Sequence, residues 1–184
     1  NKFIPYRIHV FKEKWVYVDE NNTEFPIDKN DFSVTVKDAK INFDVVFNAI
    51  HGTPGEDGLL QAYFELLQIP QTSCDYYQAA LTFNKRDMLS VLKPYGIKTA
   101  ESYYLNLGDE INIDAILEKV GLPCFVKPNK SGSSFGISKV KTKNEFLPAI
   151  EIAYKEDDEI IIESFLDGTE VSVGVINYKG TVTV

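Results

Sequence analysis

An apolar segment that ends in a lysine and runs into a loop of small residues constrains this chain more than any other feature. Residues 124–126 are apolar and lie directly before Lys127, which is therefore expected at the end of a buried strand. The following loop, 130–136, holds two glycines and three serines, which supply N–H and O–H donors with little bulk. A second strand is expected to return after it, with Lys139 solvated. Such a loop beside a strand lysine suits the oxygens of a triphosphate, and a plain hairpin turn is the alternative.

Composition limits the partners that we expect. The 184 residues include 27 acidic and 19 basic side chains, which gives a formal net charge of −8 at pH 7. A nucleic-acid or anionic membrane surface requires a basic footprint, so neither partner is expected. No apolar run approaches the length that spans a membrane. Because the chain starts at Asn1 and stops inside the strand-like run 181–184, we expect it to be part of a longer polypeptide.

Cysteine usage indicates a reducing compartment. Cys74 and Cys124 do not make a disulfide framework, and no Cys/His spacing typical of a metal site is present. A cytoplasmic location is the simplest expectation. Cys124, inside an apolar strand, is interpreted as a small core residue rather than a nucleophile.

Hydrophobic patterning predicts an α/β fold in the first part of the chain. Alternation over 4–18 predicts a hairpin, and the nearly continuous apolar run 43–50 predicts a strand covered on both faces. A glycine-rich turn then leads into a helix with Leu60 and Phe64 on one face, and a strand at 69–72 follows. This order of strand, loop, helix and strand is typical of a parallel sheet.

A second stretch of mixed helices and strands follows and predicts an α+β part. Proline, glycine and capping residues limit its helices. The predicted helices span 78–93, 113–120 and 143–155, and the predicted strands after the lysine loop span 159–163 and 170–175.

The segment 51–58, His-Gly-Thr-Pro-Gly-Glu-Asp-Gly, is a candidate ligand-binding loop. It follows a predicted strand and opens a helix, which is where open α/β sheets bind ligands. A helix N-terminus offers N–H groups and partial positive charge to a carboxylate or phosphate. His51 is the candidate functional side chain. The alternative is a turn whose glycines serve geometry alone, with Glu56 and Asp57 complementing the helix dipole.

Charged side chains at helix and strand ends form a second candidate group. Lys85 begins a helical stretch after Asn84, and Glu163 and Glu170 frame a strand end. A strand-end carboxylate accepts from an adenine amino group or a ribose hydroxyl, and Leu166 offers an apolar surface for a base. Each of these residues, taken alone, has a solvated alternative.

In order and spacing, these motifs resemble the D-alanine–D-alanine ligase family of the ATP-grasp superfamily over nearly the whole chain. The motif at 51–58 is the most specific part of the resemblance. The other matching motifs are Asn84-Lys85, Val126-Lys127-Pro128 with 132–136, and 162–166 with Glu170.

The resemblance implies a fold of the ATP-grasp type, α/β in class and α+β in its central part. An N-terminal parallel-sheet domain on the substrate side would cover 1–80. A central ATP-grasp domain would cover 81–165, and the start of a truncated C-terminal domain would cover 166–184.

The resemblance also implies an activity, the ATP-driven joining of two D-alanines through D-alanyl phosphate for peptidoglycan synthesis. Mg²⁺-ATP is the implied co-substrate, and a homodimer is one implied assembly of the full-length protein. By analogy, the first D-alanine lies by His51 and Ser133, the phosphates by Lys85, Lys127, Ser133 and Ser134, and the adenosine by Glu163, Ser164, Leu166 and Glu170.

Three positions depart from the family pattern. Ser164 stands where the family often carries a lysine, so one polar contact to adenine is lost or altered. Phe135 is bulkier than the usual valine or isoleucine of the loop, and Asn84 replaces a common aspartate. None of these changes removes a charge that must touch phosphate.

Further family residues would lie outside this sequence. The strand that holds the substrate ammonium would precede Asn1, and the Mg²⁺ carboxylates and the second-substrate loop would follow Val184. We therefore expect no metal site in the chain and no turnover by the chain alone. The alternatives are another ATP-grasp carboxylate–amine ligase, including one that takes D-lactate or D-serine second, and a non-catalytic nucleotide-binding module.

Overall fold

The computed structural model describes residues 2–184, and its contacts divide them into two compact units. The first unit contains the chain up to Met88 together with Lys130–Ser133. The second contains Leu89–Asn129 and Ser134–Val184. The predicted domain boundaries, after residues 80 and 165, stay predictions.

The first unit is built on a five-stranded antiparallel sheet in which consecutive strands are neighbours. The predicted hairpin over 4–18 is confirmed as its first two strands, whereas the patterning did not identify the other three. The strands are β1 (Ile8–Phe11), β2 (Lys14–Val18), β3 (Glu24–Asp28), β4 (Ser33–Val36) and β5 (Ala39–Ile41).

The turn between β4 and β5 explains why this part of the sheet was missed. Lys37 and Asp38 both have positive φ, and Val36 pairs with Ala39 across them. A two-residue hairpin loop with positive φ at both positions is most easily recognised from Asn-Gly. Lys-Asp gives no such signal, so the sequence pattern assigns no strand on either side of it.

Aromatic side chains fill the core of the first unit. Phe32 and Phe64 are almost fully buried, and their ring centroids lie 4.8 Å apart in an edge-to-face contact. Phe64 and Leu60 come from the inner face of α1 (Leu59–Leu66), as the helical pattern predicted. Burial of one such side chain contributes about 1.5–3 kcal/mol. This packing anchors α1, the helix that follows the loop 51–58.

The predicted parallel sheet of the first unit is wrong in its extent. Residues 43–50 form no strand, and the parallel pairing is one bridge between Val46 and Gln71. Two backbone hydrogen bonds support the bridge, from the Val46 N–H to Pro70 and from the Thr72 N–H to Val46. A strand covered on both faces needs partners on both sides. Among residues 2–184 the segment has this one short partner, and Phe47 is 80% exposed.

Two helices, α2 (Tyr76–Phe83) and α3 (Lys85–Leu92), replace the single helix predicted over 78–93. Asn84 separates them in an extended conformation, and its side-chain oxygen accepts from the Asp87 N–H at 3.1 Å. Asparagine is a strong N-cap residue and a weak residue for a helix interior, so the chain breaks at this position. The cap places Lys85 at the start of α3, as predicted.

Four antiparallel strands form the main sheet of the second unit, with two helices on one face. In spatial order the strands are β6 (Ser102–Asn106), β9 (Glu159–Ser164), β7 (Cys124–Pro128) and β8 (Ser138–Val140), and the helices are α4 (Ile113–Val120) and α5 (Phe146–Ala153). The core between sheet and helices includes the fully buried Ile116, Phe146 and Ile162. The predicted strands on both sides of the lysine loop and at 159–163 are confirmed, as is the helix 113–120.

Two predictions for the second unit need correction. The helix predicted over 143–155 begins with a 3-10 turn, Lys143–Glu145, so that α5 starts at Phe146. The strand predicted over 170–175 does not form, and the hairpin β10 (Ile176–Tyr178) and β11 (Thr181–Thr183) follows it. Alternating valines favour a strand, but a strand forms only where a neighbour accepts its backbone hydrogen bonds, and within 2–184 the segment 170–175 has none.

Candidate functional site

Strand β7 presents its polar and aromatic side chains on the face opposite the helices. Cys124 and Val126 point into the core and are fully buried, whereas Phe125 and Lys127 alternate with them on the other face. Burial raises the pKa of the Cys124 thiol to about 11, so the thiol stays protonated at neutral pH. The interpretation of Cys124 as a core residue is confirmed.

An ion pair between Lys127 and Glu163 joins two neighbouring strands of this sheet. Lys127 Nζ lies 2.7 Å from Glu163 Oε2, and the side chains are 26% and 14% exposed. The register explains the contact: Phe125 lies opposite Glu163, so Lys127, two residues further along β7, is a diagonal neighbour of Glu163 on the same face. Sequence reasoning named both residues but did not predict that they pair with each other.

The ion pair retains hydrogen-bonding capacity for a ligand. A lysine ammonium has three N–H donors, and Lys127 uses one of them on Glu163. A carboxylate accepts at both oxygens, and the contact with Lys127 occupies only Oε2 of Glu163. The two groups together therefore offer donors to an anion and an acceptor to an amino or hydroxyl group, within one sheet face.

Backbone hydrogen bonds hold the end of β9 in place beside this pair. The Ser164 N–H donates to the Glu101 carbonyl oxygen at 2.9 Å, and Ser164 Oγ accepts from the Glu101 N–H at 3.0 Å. The Phe165 N–H donates to the carbonyl oxygen of Pro123 at 3.2 Å. Ser164 Oγ therefore accepts a hydrogen bond from the residue directly before β6, an interaction that a lysine side chain would not make. Leu166 and Glu170 lie in the exposed segment that follows.

Two aromatic rings and a second lysine lie next to the ion pair. The centroids of Phe125 and Phe165 are 6.1 Å apart, with an interplanar angle of 35°. Lys139 lies opposite Phe125 in the pairing of β7 with β8, and its Nζ is 3.9 Å from the Phe165 centroid and 5.6 Å from the Phe125 centroid. Sequence reasoning described Lys139 only as solvated. The hairpin itself was predicted, so pairing its strands residue by residue was the signal that could have found the contact.

In the first unit, the carboxylate of Glu56 organises the loop 51–58. Glu56 Oε2 accepts from the Gly52 N–H at 2.6 Å, and Oε1 lies 3.8 Å from His51 Nδ1. The alternative interpretation, in which Glu56 complements the helix dipole, did not include this contact within the loop. The His51 side chain is 84% exposed, so the imidazole is accessible at the start of the loop.

Close packing explains two of the glycines in this loop. A Cβ at Gly55 would overlap the carbonyl oxygen of Ile50, so any larger residue would push the loop apart. Gly58 has a φ of 93°, which glycine adopts most easily, and a Cβ there would lie 2.6 Å from the Tyr76 carbonyl oxygen. The loop conformation is therefore specific to its glycines.

The first unit also contains part of the loop between β7 and β8. Lys85 Nζ donates to the carbonyl oxygen of Ser131 at 2.9 Å. At the next residue, Gly132, a Cβ would lie 3.0 Å from Glu56 Oε2. Lys85 thus contacts a four-residue stretch, Lys130–Ser133, that groups with the first unit, and Glu56 Oε2 borders the space beside Gly132.

Ser133 and Ser134 occupy an unusual backbone conformation. Their φ angles are 50° and 60°, and both side chains are exposed. Residues other than glycine adopt positive φ at a cost, and such strain is concentrated at functional loops. Both residues were predicted to be site residues from their hydroxyl groups.

The predicted site residues fall into two sets. The structure brings Lys127 and Glu163 together in the second unit. In the first unit, it places Lys85 against Ser131 of the loop. By unit, the first holds His51, Lys85 and Ser133, and the second holds Lys127, Ser134, Glu163, Ser164, Leu166 and Glu170. A single site made of both sets stays a prediction.

Neither a metal-binding cluster nor a membrane span is found in the described part of the chain. Residues 2–184 contain no group of three or more His, Cys, Asp or Glu side chains that could hold a metal ion. No helix over the same residues is long and apolar enough to cross a membrane.

Comparison with protein families shows to which family this chain belongs. A family model described as "D-ala D-ala ligase C-terminus" matches residues 91–184, and one described as "D-ala D-ala ligase N-terminus" matches residues 7–74. The chain belongs to the D-alanine–D-alanine ligase family. The resemblance drawn from the motifs is therefore confirmed.

Relatives within the ligase family cover the whole chain. The D-alanine–D-alanine ligase of Flavobacterium johnsoniae is 78% identical over 183 residues, which are 100% of this chain and 57% of that relative. The chain thus spans little more than half the length of this relative.

Solved structures of ligases share the fold. D-alanyl-alanine synthetase A from Vibrio cholerae matches with a TM-score of 0.84 and 28% identity, over 97% of this chain and 54% of that one. The VanG D-Ala:D-Ser ligase from Enterococcus faecalis matches with a TM-score of 0.68 and 30% identity, over 84% and 50%. A Bacillus anthracis D-alanine–D-alanine ligase complexed with ATP matches with a TM-score of 0.61 and 29% identity, over 68% and 42%. These matches confirm the predicted ATP-grasp fold class.

Proposed function

We propose that the full-length protein joins two D-alanines with the cleavage of ATP, through a D-alanyl phosphate intermediate, and so supplies a peptidoglycan precursor. The half-buried pair of Lys127 and Glu163, in a chain of the ligase family, is the observation that carries the proposal. A strand-face lysine beside a carboxylate offers the two kinds of group that a nucleotide needs, a cation for phosphate and an acceptor for the base or sugar. The relative complexed with ATP supports this assignment.

The proposal divides the nucleotide between groups of residues already described. Lys127 and Lys85 would neutralise phosphate oxygens, with Ser133 and Ser134 as hydroxyl donors from the loop. Glu163 would accept from the adenosine, and Ser164, Leu166 and Glu170 would line the segment beside it. Reaction of a carboxylate with ATP requires charge neutralisation and orientation more than a protein nucleophile, and this set is rich in donors.

The loop 51–58 is the proposed site of the first D-alanine. His51 is exposed at the start of the loop, and its Nδ1 lies near the Glu56 carboxylate. An imidazole that is oriented by a carboxylate can donate to a substrate carboxylate or acyl phosphate from its other nitrogen. Ser133 would contact the same substrate through its hydroxyl group.

Mg²⁺ belongs to the proposal only as the ion that accompanies ATP. Residues 2–184 contain no group of three or more His, Cys, Asp or Glu side chains that could hold a metal ion. A cytoplasmic location, where ATP and D-alanine are available, and a homodimeric full-length protein complete the proposal.

Product analysis of the purified full-length protein tests the function directly. Incubation with D-alanine, ATP and Mg²⁺ should yield D-alanyl-D-alanine and ADP in equal amounts, and omission of D-alanine should abolish ADP release. ATP cleavage without dipeptide, or no consumption of ATP, would contradict the proposal. A protein that binds ATP and forms no product with any amine would instead support the non-catalytic module.

A second candidate differs only in the second substrate. The VanG D-Ala:D-Ser ligase shares the fold of this half of the protein, so the residues described here do not separate D-alanine from D-serine. Competition of D-alanine with D-serine or D-lactate at equal concentrations distinguishes these ligases. A product mixture dominated by D-alanyl-D-serine or D-alanyl-D-lactate would replace the first proposal with this one.

A further inference from the structure

Lys139 is a charged residue that the proposed function does not use. It lies on the edge strand β8, is exposed to solvent, and has its Nζ 3.9 Å from the centroid of the Phe165 ring. A cation within about 6 Å of a ring centroid is attracted by the quadrupole of the ring. The distance to Phe165 is the shortest of the lysine–ring contacts described in residues 2–184, and it indicates direct contact.

Strand pairing explains how Lys139 comes to contact both rings. Lys139 is directly opposite Phe125 on β7, and Phe125 is directly opposite Glu163 on β9. Phe165 follows Glu163 by two residues and is anchored through its N–H to Pro123. The two rings and the ammonium group thus lie on the same face of the sheet as the Lys127–Glu163 ion pair.

The Phe165 ring is partly exposed beyond the end of its strand. The residue follows the last residue of β9 and is 37% exposed. Its contact with Phe125 is tilted at a centroid distance of 6.1 Å, which leaves much of its surface open. An exposed aromatic side chain beyond a strand end has several accessible rotamers, and an ammonium over its face favours one of them.

We propose that Lys139 is a positioning residue for the nucleotide base: its ammonium group holds the Phe165 ring beside Phe125, and the two rings form the apolar surface against which the base packs. This inference rests on the proposed use of ATP. Glu163, the neighbour of Phe125 across the strands, then supplies the polar contact at the edge of the same surface.

Binding of two probes to the full-length protein tests the inference, because they separate the base from the phosphates. Lys139→Met removes the charge and retains the length of the side chain. It should weaken ATP binding about two- to fivefold and leave the binding of inorganic tripolyphosphate unchanged. The KM for ATP should rise by the same factor without a change in kcat. Lys155→Met, at an exposed turn of the same unit, removes an equal charge and should change neither affinity.

Two further variants separate positioning from a structural role. Lys139→Arg keeps a cation that stacks on an aromatic ring, and should retain wild-type affinity for ATP. In a Phe165→Leu background, Lys139→Met should have no further effect on ATP binding, because the ring that the lysine positions is gone. Thermal unfolding midpoints of Lys139→Met and the wild type should differ by at most about 3 °C, because an exposed cation–ring contact contributes only weakly to stability.

Several outcomes would overturn the inference. Equal losses for ATP and tripolyphosphate would mean that Lys139 contacts phosphate directly, and unchanged affinity for both would mean that it has no role in binding. An undiminished effect of Lys139→Met in the Phe165→Leu background would remove Phe165 from the explanation. Wild-type protein that binds ATP and makes no dipeptide would refute the proposed ligase activity and leave this inference standing, whereas wild-type protein without ATP binding would refute both.

Discussion

Replacement of Lys127 by methionine in the full-length protein is the perturbation whose effect the structure defines best. Methionine keeps the apolar stem beside Phe125, whose ring centroid lies 5.4 Å from Lys127 Nζ, and removes only the charge. The Glu163 carboxylate, 14% exposed, then loses the ammonium that lies 2.7 Å away. The variant therefore leaves a mostly buried anion without its described counterion.

The expected loss of stability in Lys127→Met lies between two limits. Breaking a fully buried ion pair costs about 3–5 kcal/mol, and an exposed pair contributes about 0–1 kcal/mol. With side chains 26% and 14% exposed, the pair is intermediate, and we expect Lys127→Met to lower the free energy of unfolding by about 1–3 kcal/mol. ATP affinity should fall by about tenfold to a hundredfold, because a charge-assisted contact contributes about 1.5–3 kcal/mol.

A double-mutant cycle separates the pair from other effects of the substitutions. Glu163→Gln keeps the shape of the side chain, and combination with Lys127→Met leaves no unpaired charge. The double variant should be more stable than the sum of the single changes predicts, with a coupling of about 1–2 kcal/mol. Urea unfolding measures the stability, and calorimetric titration with ATP and Mg²⁺ measures the affinity. Lys155→Met is the control for the loss of one positive charge.

Independent effects of the substitutions at Lys127 and Glu163 would contradict the predicted coupling. A coupling energy below about 0.5 kcal/mol would show that the ion pair is not a stabilising contact in solution. ATP affinity in Lys127→Met equal to that of Lys155→Met would return Lys127 to the role of an ordinary strand lysine.

Three further predictions concern the loops and the cysteines. Gly55→Ala should lower the free energy of urea unfolding by about 1–3 kcal/mol, because the added methyl overlaps the backbone. Equal destabilisation by Gly168→Ala, where space is open and φ is not positive, would contradict this reading. At pH 8, Cys74 should react with a thiol reagent in the folded protein and Cys124 only on unfolding, since burial raises the pKa of the Cys124 thiol to about 11 and leaves roughly a thousandth as thiolate. Equal labelling rates would refute that protection. Amide exchange over 130–136 in the full-length protein should slow when ATP and Mg²⁺ are added, and a loop equally protected in both states would be a rigid hairpin turn.

Elements of the second unit were predictable because their local signals agree with their tertiary environment. Helix α4 begins after Asn112, whose side chain accepts from the Ala115 N–H, and ends at Gly121 with positive φ. Strand β9 contains three consecutive isoleucines that are all buried. Caps and continuous apolar runs of this kind are visible in one sequence.

Elements of the first unit were harder to predict because their signals depend on partners. The run 43–50 looks like a buried strand, yet one short bridge at Val46 is its described pairing. Conversely, β4 and β5 form around a Lys37-Asp38 turn that has no strong sequence signal. Strand formation is decided by hydrogen-bonding neighbours, and hydrophobicity alone does not identify those neighbours.

In the candidate site, too, the sequence identified the residue types but not the contacts between them. Family motifs named Lys127 and Glu163, but their ion pair follows from the diagonal register of β7 and β9. Likewise, Lys139 reads as a solvated lysine until its strand is aligned with Phe125. A motif identifies a side chain suited to a chemistry, whereas the pairing of strands decides which side chains act together.

The contact of Lys85 with the loop 130–136 affects how nucleotide should change amide exchange in that loop. Lys85 Nζ donates to the Ser131 carbonyl oxygen, and an ammonium group has three N–H donors. Under the proposed function, the phosphate and the loop bind the same ammonium group. Under the proposed function, nucleotide adds partners for the exposed Ser133 hydroxyl and for the backbone N–H groups of Lys130–Ser133, while the existing contact of Lys85 is retained. Because binding and loop ordering are thermodynamically linked, a loop that nucleotide orders must in turn raise nucleotide affinity. Lys85→Met removes the contact with the Ser131 carbonyl oxygen, so it should lower both the amide protection of the loop and the affinity for nucleotide.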